Sequence, residues 1–428
     1  KKFFHSNKKM EWFAKKVLCS SIWPLLCLGS NCENIVKFIK GIKPMKISAD
    51  WLNKPSTRLV MERLVSGGYK AYFVGGCVRN TLLNIETTDI DIATSAHPKK
   101  VLEIMENAGL KALPTGIEHG TVTVVADKRN YEVTTLREDI ETDGRRAKVK
   151  FSKSIFEDAK RRDFSINAIY CEQDGTILDP LEGIADIVGK RIKFIGDPYT
   201  RIKEDYLRIL RFFRFLALFG KEDENHEIEI AALNDLRDGL DTVSAERKTG
   251  EILKLFAAPN LKYSILLMEK AKISSKIFDA YNFKSLKNLN KLEDRLEIAP
   301  CAIRRLAAYT DDNLKSNLRF SNKLAKDHKV LREEATSQKD AAELSYRYNE
   351  KLALDSILVR SSLHGTEPTR NVFSRIKLGS VSKFPVKSAD LTEYFSGPKL
   401  GEVLTYLEQK WIESDFTLSK ERLLFSIR

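Results

Sequence analysis

Apolar positions in residues 57–66 return at helical spacing, with Leu59, Val60, Leu64 and Val65 on one side, and Gly67-Gly68 predicts the stop. Residues 71–74 form a short apolar strand that breaks at Gly75-Gly76, and a helix starts over 78–83. Residues 89–93 alternate acid with isoleucine, the period of a half-buried strand. Pro98 opens a helix to about 108. Residues 121–126 and 131–136 read as two strands joined through Asp127-Lys-Arg-Asn130 in a hairpin. Arg137 to Lys150 reads as a polar loop, followed by a helix near Ser165 and a short strand pair, Ile177 with 192–195. From Arg201 the period turns helical: Ile202, Tyr206, Ile209, Leu210, Phe213 and Leu216 make one stripe. Residues 333–350 are polar enough to predict an exposed helix or linker, and 400–412 put Leu400, Val403, Leu404, Leu407 and Trp411 on one face. The fold class is therefore an α+β head, a small sheet with helices, followed by an all-α neck, body and tail, and mostly α overall. The expected segments are an extension at 1–45, a head at 46–190, a neck at 191–260, a body at 261–380 and a tail at 381–428.

Composition sharpens this in three ways. A chain of 428 residues with 43% hydrophobic and 31% charged residues fits a soluble globular protein of several domains, and no apolar run is long enough to span a membrane. A net charge of +13 points to a polyanionic partner, nucleic acid being the commonest, although a basic surface with no partner has the same composition. The cysteines, Cys19, Cys27, Cys32, Cys77, Cys171 and Cys301, include no C-x-x-C pair, which predicts a reduced, intracellular chain without structural zinc. Residues 1–45 differ: Lys1, Lys2, Lys8, Lys9, Lys15 and Lys16 precede an apolar run over 17–28. Such a segment is a candidate organellar address, mitochondrial as well as or instead of cytoplasmic. Its lack of Arg is unusual for one, and Met45 offers an alternative start.

Candidate chemistry centres on Asp89-Ile-Asp91-Ile92. On a strand both carboxylates share one face while both Ile side chains anchor the other. Two hard oxygen ligands so placed suit Mg²⁺, which takes few carboxylates and completes its shell with phosphates and water. Alone, D-x-D is more often a solvated strand edge. Shortly before it stands Phe73-Val-Gly-Gly-Cys-Val-Arg79, a strand, a glycine turn and a helix start. Bare Gly75 and Gly76 let backbone N–H groups approach a triphosphate, the helix start favours an anion, and Arg79 adds a bidentate contact.

In this combination the residues resemble the signature of the class II tRNA nucleotidyltransferase family, the CCA-adding enzymes of the DNA polymerase β superfamily. Arg161-Arg-Asp-Phe-Ser-Ile-Asn-Ala168 is similar to the family's second motif, and the resemblance implies ribose or phosphate contacts for Arg162, Asp163 and Asn167. Asp179-Pro-Leu-Glu-Gly183 resembles the hinge motif; Glu204-Asp-Tyr-Leu-Arg208, with Arg211 and Arg214, the nucleotide-selecting helix; Ser244-Ala-Glu-Arg247 the helix-stabilising motif. Phe384-Pro-Val386, Lys410-Trp411 and Phe416 resemble the family's tail, which implies tRNA binding there. The similarity is at motif level over about 70–255, weaker over 256–380, and returns at the tail. Asn80 stands where the family usually has Asp, and Gly250 costs its helix some stability. The resemblance implies Mg²⁺ as cofactor and CTP, ATP and a tRNA lacking its 3′ CCA end as partners, with no membrane. Monomer and dimer stay open.

Hydrogen-bond inventories show how side chains choose C and A. Both bases present an amino donor beside a ring-nitrogen acceptor, whereas U and G present the reverse. A carboxylate beside a guanidinium matches the first pattern. Asp205 and Arg208, expected three residues apart on one helix, are the candidate base-reading pair; in isolation they would read as a surface ion pair. Arg211 and Arg214 follow on the same side. Arg137, Asp139, Asp143 and Arg145 belong to a loop resembling the family's flexible loop, implicated in switching from CTP to ATP, although a solvated hairpin loop would look the same. Glu132 is a weaker candidate third carboxylate, and His119 reads as structural. Arg304, Arg305, Lys323, Lys326 and Lys329 read as solvated residues on the body. Competing readings are a poly(A) polymerase, a CC-only or A-only adding enzyme, and an inactive RNA-binding protein. Against the first stands Asp143-Gly-Arg-Arg-Ala147 in place of the Gly-Arg-Arg-Phe-Arg of bacterial poly(A) polymerases, and against the last stand intact Asp89 and Asp91.

Overall fold

The structure, a computed structural model, describes residues 45–143, 146–222, 225–310 and 318–427, with backbone alone over 139–149. The expected segment at 1–45 falls almost wholly outside the described residues. The chain divides into two compact units. The first takes in the chain through Glu138 together with Phe151–Ala159 and Asn167–Gly183; the second takes in Asp139–Lys150, Lys160–Ile166 and Ile184–Arg428. Among the described residues no helix is long and apolar enough to cross a membrane.

The first unit is built on one mixed sheet. Helices α1 (Asp50–Asn53) and α2 (Pro55–Ser66) lead into β1 (Ala71–Val74), α3 (Gly76–Leu82), β2 (Ile90–Thr94) and α4 (Pro98–Asn107). Strands β3 (Lys111–Gly116), β4 (Thr121–Ala126) and β5 (Arg129–Thr135) follow. After the paired strands β6 (Arg137–Asp143) and β7 (Arg146–Phe151) come α5 (Ile155–Lys160), β8 (Tyr170–Cys171) and β9 (Ile177–Leu178). The sheet order is β3-β4-β5-β2-β1-β8-β9, with β2 and β5 parallel and the other pairs antiparallel. Alternation explains why β2 sits inside: Ile90 and Ile92 are buried with Val133, Tyr131, Val122 and Phe73, under α2 residues Met61 and Leu64 and α4 residues Val101 and Met105. Thr57 and Ser56 of α2 hydrogen-bond the buried Tyr131 hydroxyl at 3.1 and 2.9 Å, which satisfies it inside the core.

The expected polar loop 137–150 is corrected to β6 and β7, a two-stranded sheet. The β4–β5 hairpin turns tightly on Asp127 and Lys128, both at positive φ, so β5 starts at Arg129, earlier than expected. Ile177 pairs with Cys171 in place of 192–195, and Phe194 bridges Phe164. Strand β3 and helix α5 were not foreseen; β3 is mostly exposed and pairs only with β4.

The second unit is helical, apart from most of β6 and β7. Helices α6 (Gly183–Gly189), α7 (Pro198–Glu204), α8 (Arg208–Phe219), α9 (Glu227–Asp235), α10 (Ala245–Phe256), α11 (Leu261–Lys270) and α12 (Ser274–Ile277) come first. They are followed by α13 (Phe283–Arg295), α14 (Ala302–Tyr309), α15 (Asn322–Thr336), α16 (Ala341–Arg347) and α17 (Glu350–His364). Helices α18 (Val372–Val381), α19 (Gly397–Glu413) and α20 (Lys420–Phe425) end the chain. Many begin on a side-chain cap: Asp197, Ser244, Asn282, Ser321, Asp340, Asn349 and Ser419 each accept from a first-turn N–H. The stripe on α19 packs as expected, with Leu407 and Trp411 buried and Leu400, Val403 and Leu404 against them.

Three expectations fail here for physical reasons. The helix from Arg201 is not continuous, because Asp205 has extended backbone and separates α7 from α8. Residues 341–347 are not an exposed linker: Ala341, Ala342, Leu344 and Ser345 are buried. Arg304 and Arg305 are not solvated. Both lie in the body interior around Glu293, with Arg304 also on Asp355 at 2.7 Å and Arg305 on the Phe256 and Ala258 carbonyls at 3.2 and 2.6 Å.

Glu293→Gln leaves two buried guanidinium groups short of their shared anion, and removing one partner of a buried ion cluster costs about 3–5 kcal/mol. Denaturant unfolding of the variant should show a loss of that size. Gly379 lets α18 approach α16, and a Cβ there would lie 1.9 Å from the Ala342 carbonyl oxygen. Gly379→Ala should cost about 1–3 kcal/mol through forced backbone movement, read as a lower unfolding midpoint.

Candidate active site

The predicted site residues fall into two groups, one in each unit. In the first unit, β2 begins at Ile90, so Asp89 stands just before the strand and Asp91 within it. Asp89 is exposed and Asp91 half-buried, while Ile90 and Ile92 between and after them are buried. The two acids thus open away from the core, as the alternation requires. Register places Glu132 of β5 beside Asp91 and Val74 on its other side. Among the described residues no group of three or more His, Cys, Asp or Glu converges as a metal cage. Glu132 is therefore a neighbour of Asp91 in the sheet without forming a three-ligand set.

The turn before α3 depends on Gly75. Its φ of 73° and ψ of −125° lie where a Cβ is strained, and this lets β1 fold directly into the helix that begins at Gly76. Arg79 on α3 is buried, and its guanidinium is oriented by two amides: Nη1 donates to Asn167 Oδ1, while Nε and Nη2 donate to Asn80 Oδ1 at 3.2 and 2.8 Å. Asn80 in turn donates to the Glu86 carbonyl at 3.4 Å, so the departure at position 80 still serves as a brace. Cys77 lies beneath the acids, and burial first, then the Asp91 charge, push its thiol up to about 12, which keeps it protonated. Asp158, which sequence reasoning missed, is fully buried; it accepts from the Tyr170 hydroxyl at 2.7 Å and the Arg137 backbone N–H at 3.3 Å, fixing where β6 begins. Asp139 and Asp143 lie in β6, and Arg145 falls outside the described residues.

In the second unit the candidate selecting residues are not on one helix. Asp205 caps the C-terminal end of α7, and Arg208 is the first residue of α8. The Arg208 N–H donates to the Asp205 carbonyl at 3.0 Å, but their side chains turn to different partners. Asp205 Oδ2 takes Arg247 Nη2 at 2.7 Å and Oδ1 takes the Leu207 N–H at 3.1 Å. Arg208 Nη1 donates to Glu204 at 2.6 Å and to the Arg201 carbonyl at 2.8 Å, and Nη2 reaches the Arg161 carbonyl at 3.4 Å. Asp163 is buried; its Oδ2 accepts from Arg211 Nε at 2.7 Å and from Nη2, and its Oδ1 from the Phe164 N–H at 2.9 Å. Arg162 is half-buried, and its carbonyl accepts from Arg201 at 2.7 Å. Glu251 of α10 stands 2.6 Å from Arg214 and 3.8 Å from Arg211, and both guanidinium groups lie over the Phe215 ring.

These charges answer one another. Burial opposes the Arg211 charge, yet Asp163 and then Glu251 outweigh it and hold its pKa above the ordinary guanidinium value. Burial lowers that of Arg214, offset in part by Glu251. Arg201, Arg208, Arg211, Arg214 and Arg247 meet Glu204, Asp163, Asp205 and Glu251. Sequence reasoning missed Arg201, Glu204 and Glu251 as members of the cluster. The spacing of Arg201, Glu204 and Arg208 at three and four residues carried a signal for the first two. For Glu251 and for the pairing of Arg247 nothing local did.

Residues 71–193 match the family described as the Poly A polymerase head domain. Human mitochondrial CCA tRNA nucleotidyltransferase 1 is 30% identical over 95% of this chain and 96% of its own. The CCA-adding enzyme of Leuconostoc citreum is 43% identical over 49% of this chain and 51% of its own. Among solved structures, the Bacillus stearothermophilus CCA-adding enzyme in complex with CTP superposes with a TM-score of 0.66 at 26% identity, covering 85% of this chain and 94% of that one. The Thermotoga maritima CCA-adding enzyme complexed with tRNA-CCA gives 0.63 at 18% identity, over 90% of this chain and 100% of that one, a likeness of fold. With such identity to the human protein along nearly the full length of both, the chain belongs to the CCA tRNA nucleotidyltransferase family.

Proposed function

We propose that this chain adds CCA to the 3′ end of tRNA without a template, taking CTP and then ATP. The tRNA 3′-oxygen attacks the α-phosphorus of the nucleotide, and the bond to pyrophosphate breaks. The observation that carries this reading is Asp89 just before β2 and Asp91 within it, both outside a core in which Ile90 and Ile92 are buried. The donor set fits Mg²⁺: two hard carboxylates, one exposed and one half-buried, a small set that phosphate and water oxygens would complete. Asp89 and Asp91 would hold it, and when bound it lowers the pKa of the attacking hydroxyl and offsets charge on the leaving pyrophosphate.

The remaining residues bind and orient. Gly75 and Gly76 bring bare backbone to the phosphates, and Arg79, braced by Asn167 and Asn80, points a fixed fork at them. Arg162, Arg211 and Arg214 meet ribose and phosphate, and Asp163 holds Arg211 in place.

Asp205 and Arg208 read the base edge. Each is held by a different neighbour, Arg247 and Glu204, so neither neutralises the other. A carboxylate with about four acceptor sites and a guanidinium with five N–H groups keep capacity for the base. The β6–β7 strands, with Arg137, Asp139, Asp143 and Arg145, act as the lever between CTP and ATP. In the tail at 381–428, exposed Tyr394 and Phe425 and the Lys410 ammonium over the Tyr406 ring offer stacking and charge to tRNA. The Lys-rich segment at 1–45 directs the chain to mitochondria, where the human relative is named.

With tRNA lacking its 3′ end and Mg²⁺, CTP alone should extend the product by CC and CTP with ATP should complete CCA. Long A tails would instead favour a poly(A) polymerase, the activity for which the matched head domain is named. Asp89→Ala with Asp91→Ala should lower incorporation at least about a thousandfold while the protein stays folded; activity that persists would refute the metal assignment. Arg208→Ala should reduce the preference for CTP over UTP about tenfold or more, because a wrong base then leaves fewer buried groups unpaired. Competition between the two nucleotides on one tRNA measures it.

A further inference from the structure

Arg201 has no role in the reading above, yet it is 8% exposed and carries a charge it cannot shed. Its three-way bonding is specific. Nη2 donates to two successive carbonyls, Arg161 and Arg162, the second at 2.7 Å, and Nη1 donates to Glu204. Arg208 uses the same acceptors: Glu204 Oε2 at 2.6 Å and the Arg161 carbonyl at 3.4 Å. Two guanidinium groups and two shared acceptors therefore close a ring. A further bond ties the Arg201 carbonyl to Arg208 Nη1 at 2.8 Å.

Such a ring is a poor way merely to fill space. Two cations share one carboxylate, and burial together with the nearby Arg208 charge pulls the Arg201 pKa down. An apolar side chain would avoid desolvating a charge. What the ring does achieve is registration. The carbonyls held by Arg201 lie directly before Asp163, which holds Arg211. The carboxylate it shares is one of the groups that aim Arg208. Only a planar fork reaches two adjacent carbonyls and a carboxylate together; a lysine ammonium has one centre.

We infer that Arg201 is a positioning residue for nucleotide selection: it clamps the 161–162 backbone and shares Glu204 with Arg208, and so sets where the Arg208 guanidinium stands relative to the Asp163–Arg211 pair. The inference rests on the reading of Arg208 as a base reader. Its physical content, that Arg201 fixes two segments against each other, is testable apart from that reading.

The test uses the full chain with Arg201→Met, Arg201→Lys and Glu204→Gln, and Arg208→Ala as reference. Thermal unfolding, amide hydrogen exchange over 160–166 and 205–209, KM and kcat for CTP and ATP, and the choice of CTP over UTP are measured on tRNA lacking its 3′ end. Arg201→Met should raise KM for CTP and ATP together and lower the CTP preference about tenfold, with a smaller change in kcat. Arg201→Lys should recover part of the preference. A folded Arg201→Met with wild-type KM and choice overturns the inference, as does a loss of activity that only follows the folded fraction. Should Arg201→Met fail to fold, Arg201→Lys and Glu204→Gln decide by the same readouts, and unchanged choice in both overturns it. If Arg208→Ala itself leaves choice unchanged, the base-reading assignment is what fails. Arg201 is then judged by exchange: faster exchange in both segments at equal stability upholds the clamp, and unchanged exchange overturns it.

Discussion

A guanidinium keeps its charge at any pH a protein meets, so each one taken out of water must be supplied with acceptors from somewhere in the chain. In the helical unit that demand is met again and again from distant sequence. Arg201 draws the 161–162 carbonyls to α7, Arg211 and Arg214 hold Asp163 and Glu251, and Arg305 reaches back to the Phe256 and Ala258 carbonyls at and just past the end of α10. Helices α7, α8, α10 and α14 consequently cannot be placed one by one. The position of each is written into the donors of another. Apolar packing supplies the driving force, as in the cluster around Leu289, Ile303 and Leu331, but it is indifferent to small sliding. The arginine bonds are directional and remove that freedom.

The head solves its problem by other means. There, Ile90 and Ile92 of β2 are buried while Asp91 between them and Asp89 just before the strand stay outside the core, so one short stretch carries both anchor and acids. Neighbouring strands on both sides hold β2 in register. A strand inside a seven-stranded sheet is about as rigid a mount as a small domain offers. The helical unit holds its charged groups differently, through a web of shared acceptors around Asp205 and Arg208 drawn from several helices.

How much of this could be read in advance follows from where the determining contacts lie. Strands β1, β2 and β4, helix α4 and the stripe on α19 were legible because their period and their stop residues are local. The break at Asp205 was invisible because the apolar spacing of Ile202, Tyr206 and Ile209 runs straight across it; the interruption comes from extended backbone and an aspartate that accepts the Leu207 N–H. Strand β3 is held by β4 and shows little apolar alternation of its own. Arg304 and Arg305 look like surface residues until Glu293 and Asp355 are brought to them. The acids and glycines of the site were legible as motifs. The pairing of Arg247 with Asp205 and the place of Glu251 were not, since only the tertiary fold puts α10 beside α8.

The bond from Arg305 to the end of α10 also bears on the order in which the protein comes into being. The Phe256 and Ala258 carbonyls find their partner 49 and 47 residues later, and the Thr249 hydroxyl accepts the Arg319 N–H 70 residues later. As the chain leaves the ribosome, the helix bearing Arg247 and Glu251 is thus synthesised well before the groups that hold its far end. The first unit can settle its sheet early. The contacts that hold the helix paired with Asp205 can be completed only once Arg305 and Arg319 have been made, so this charged cluster is finished long after its own residues emerge.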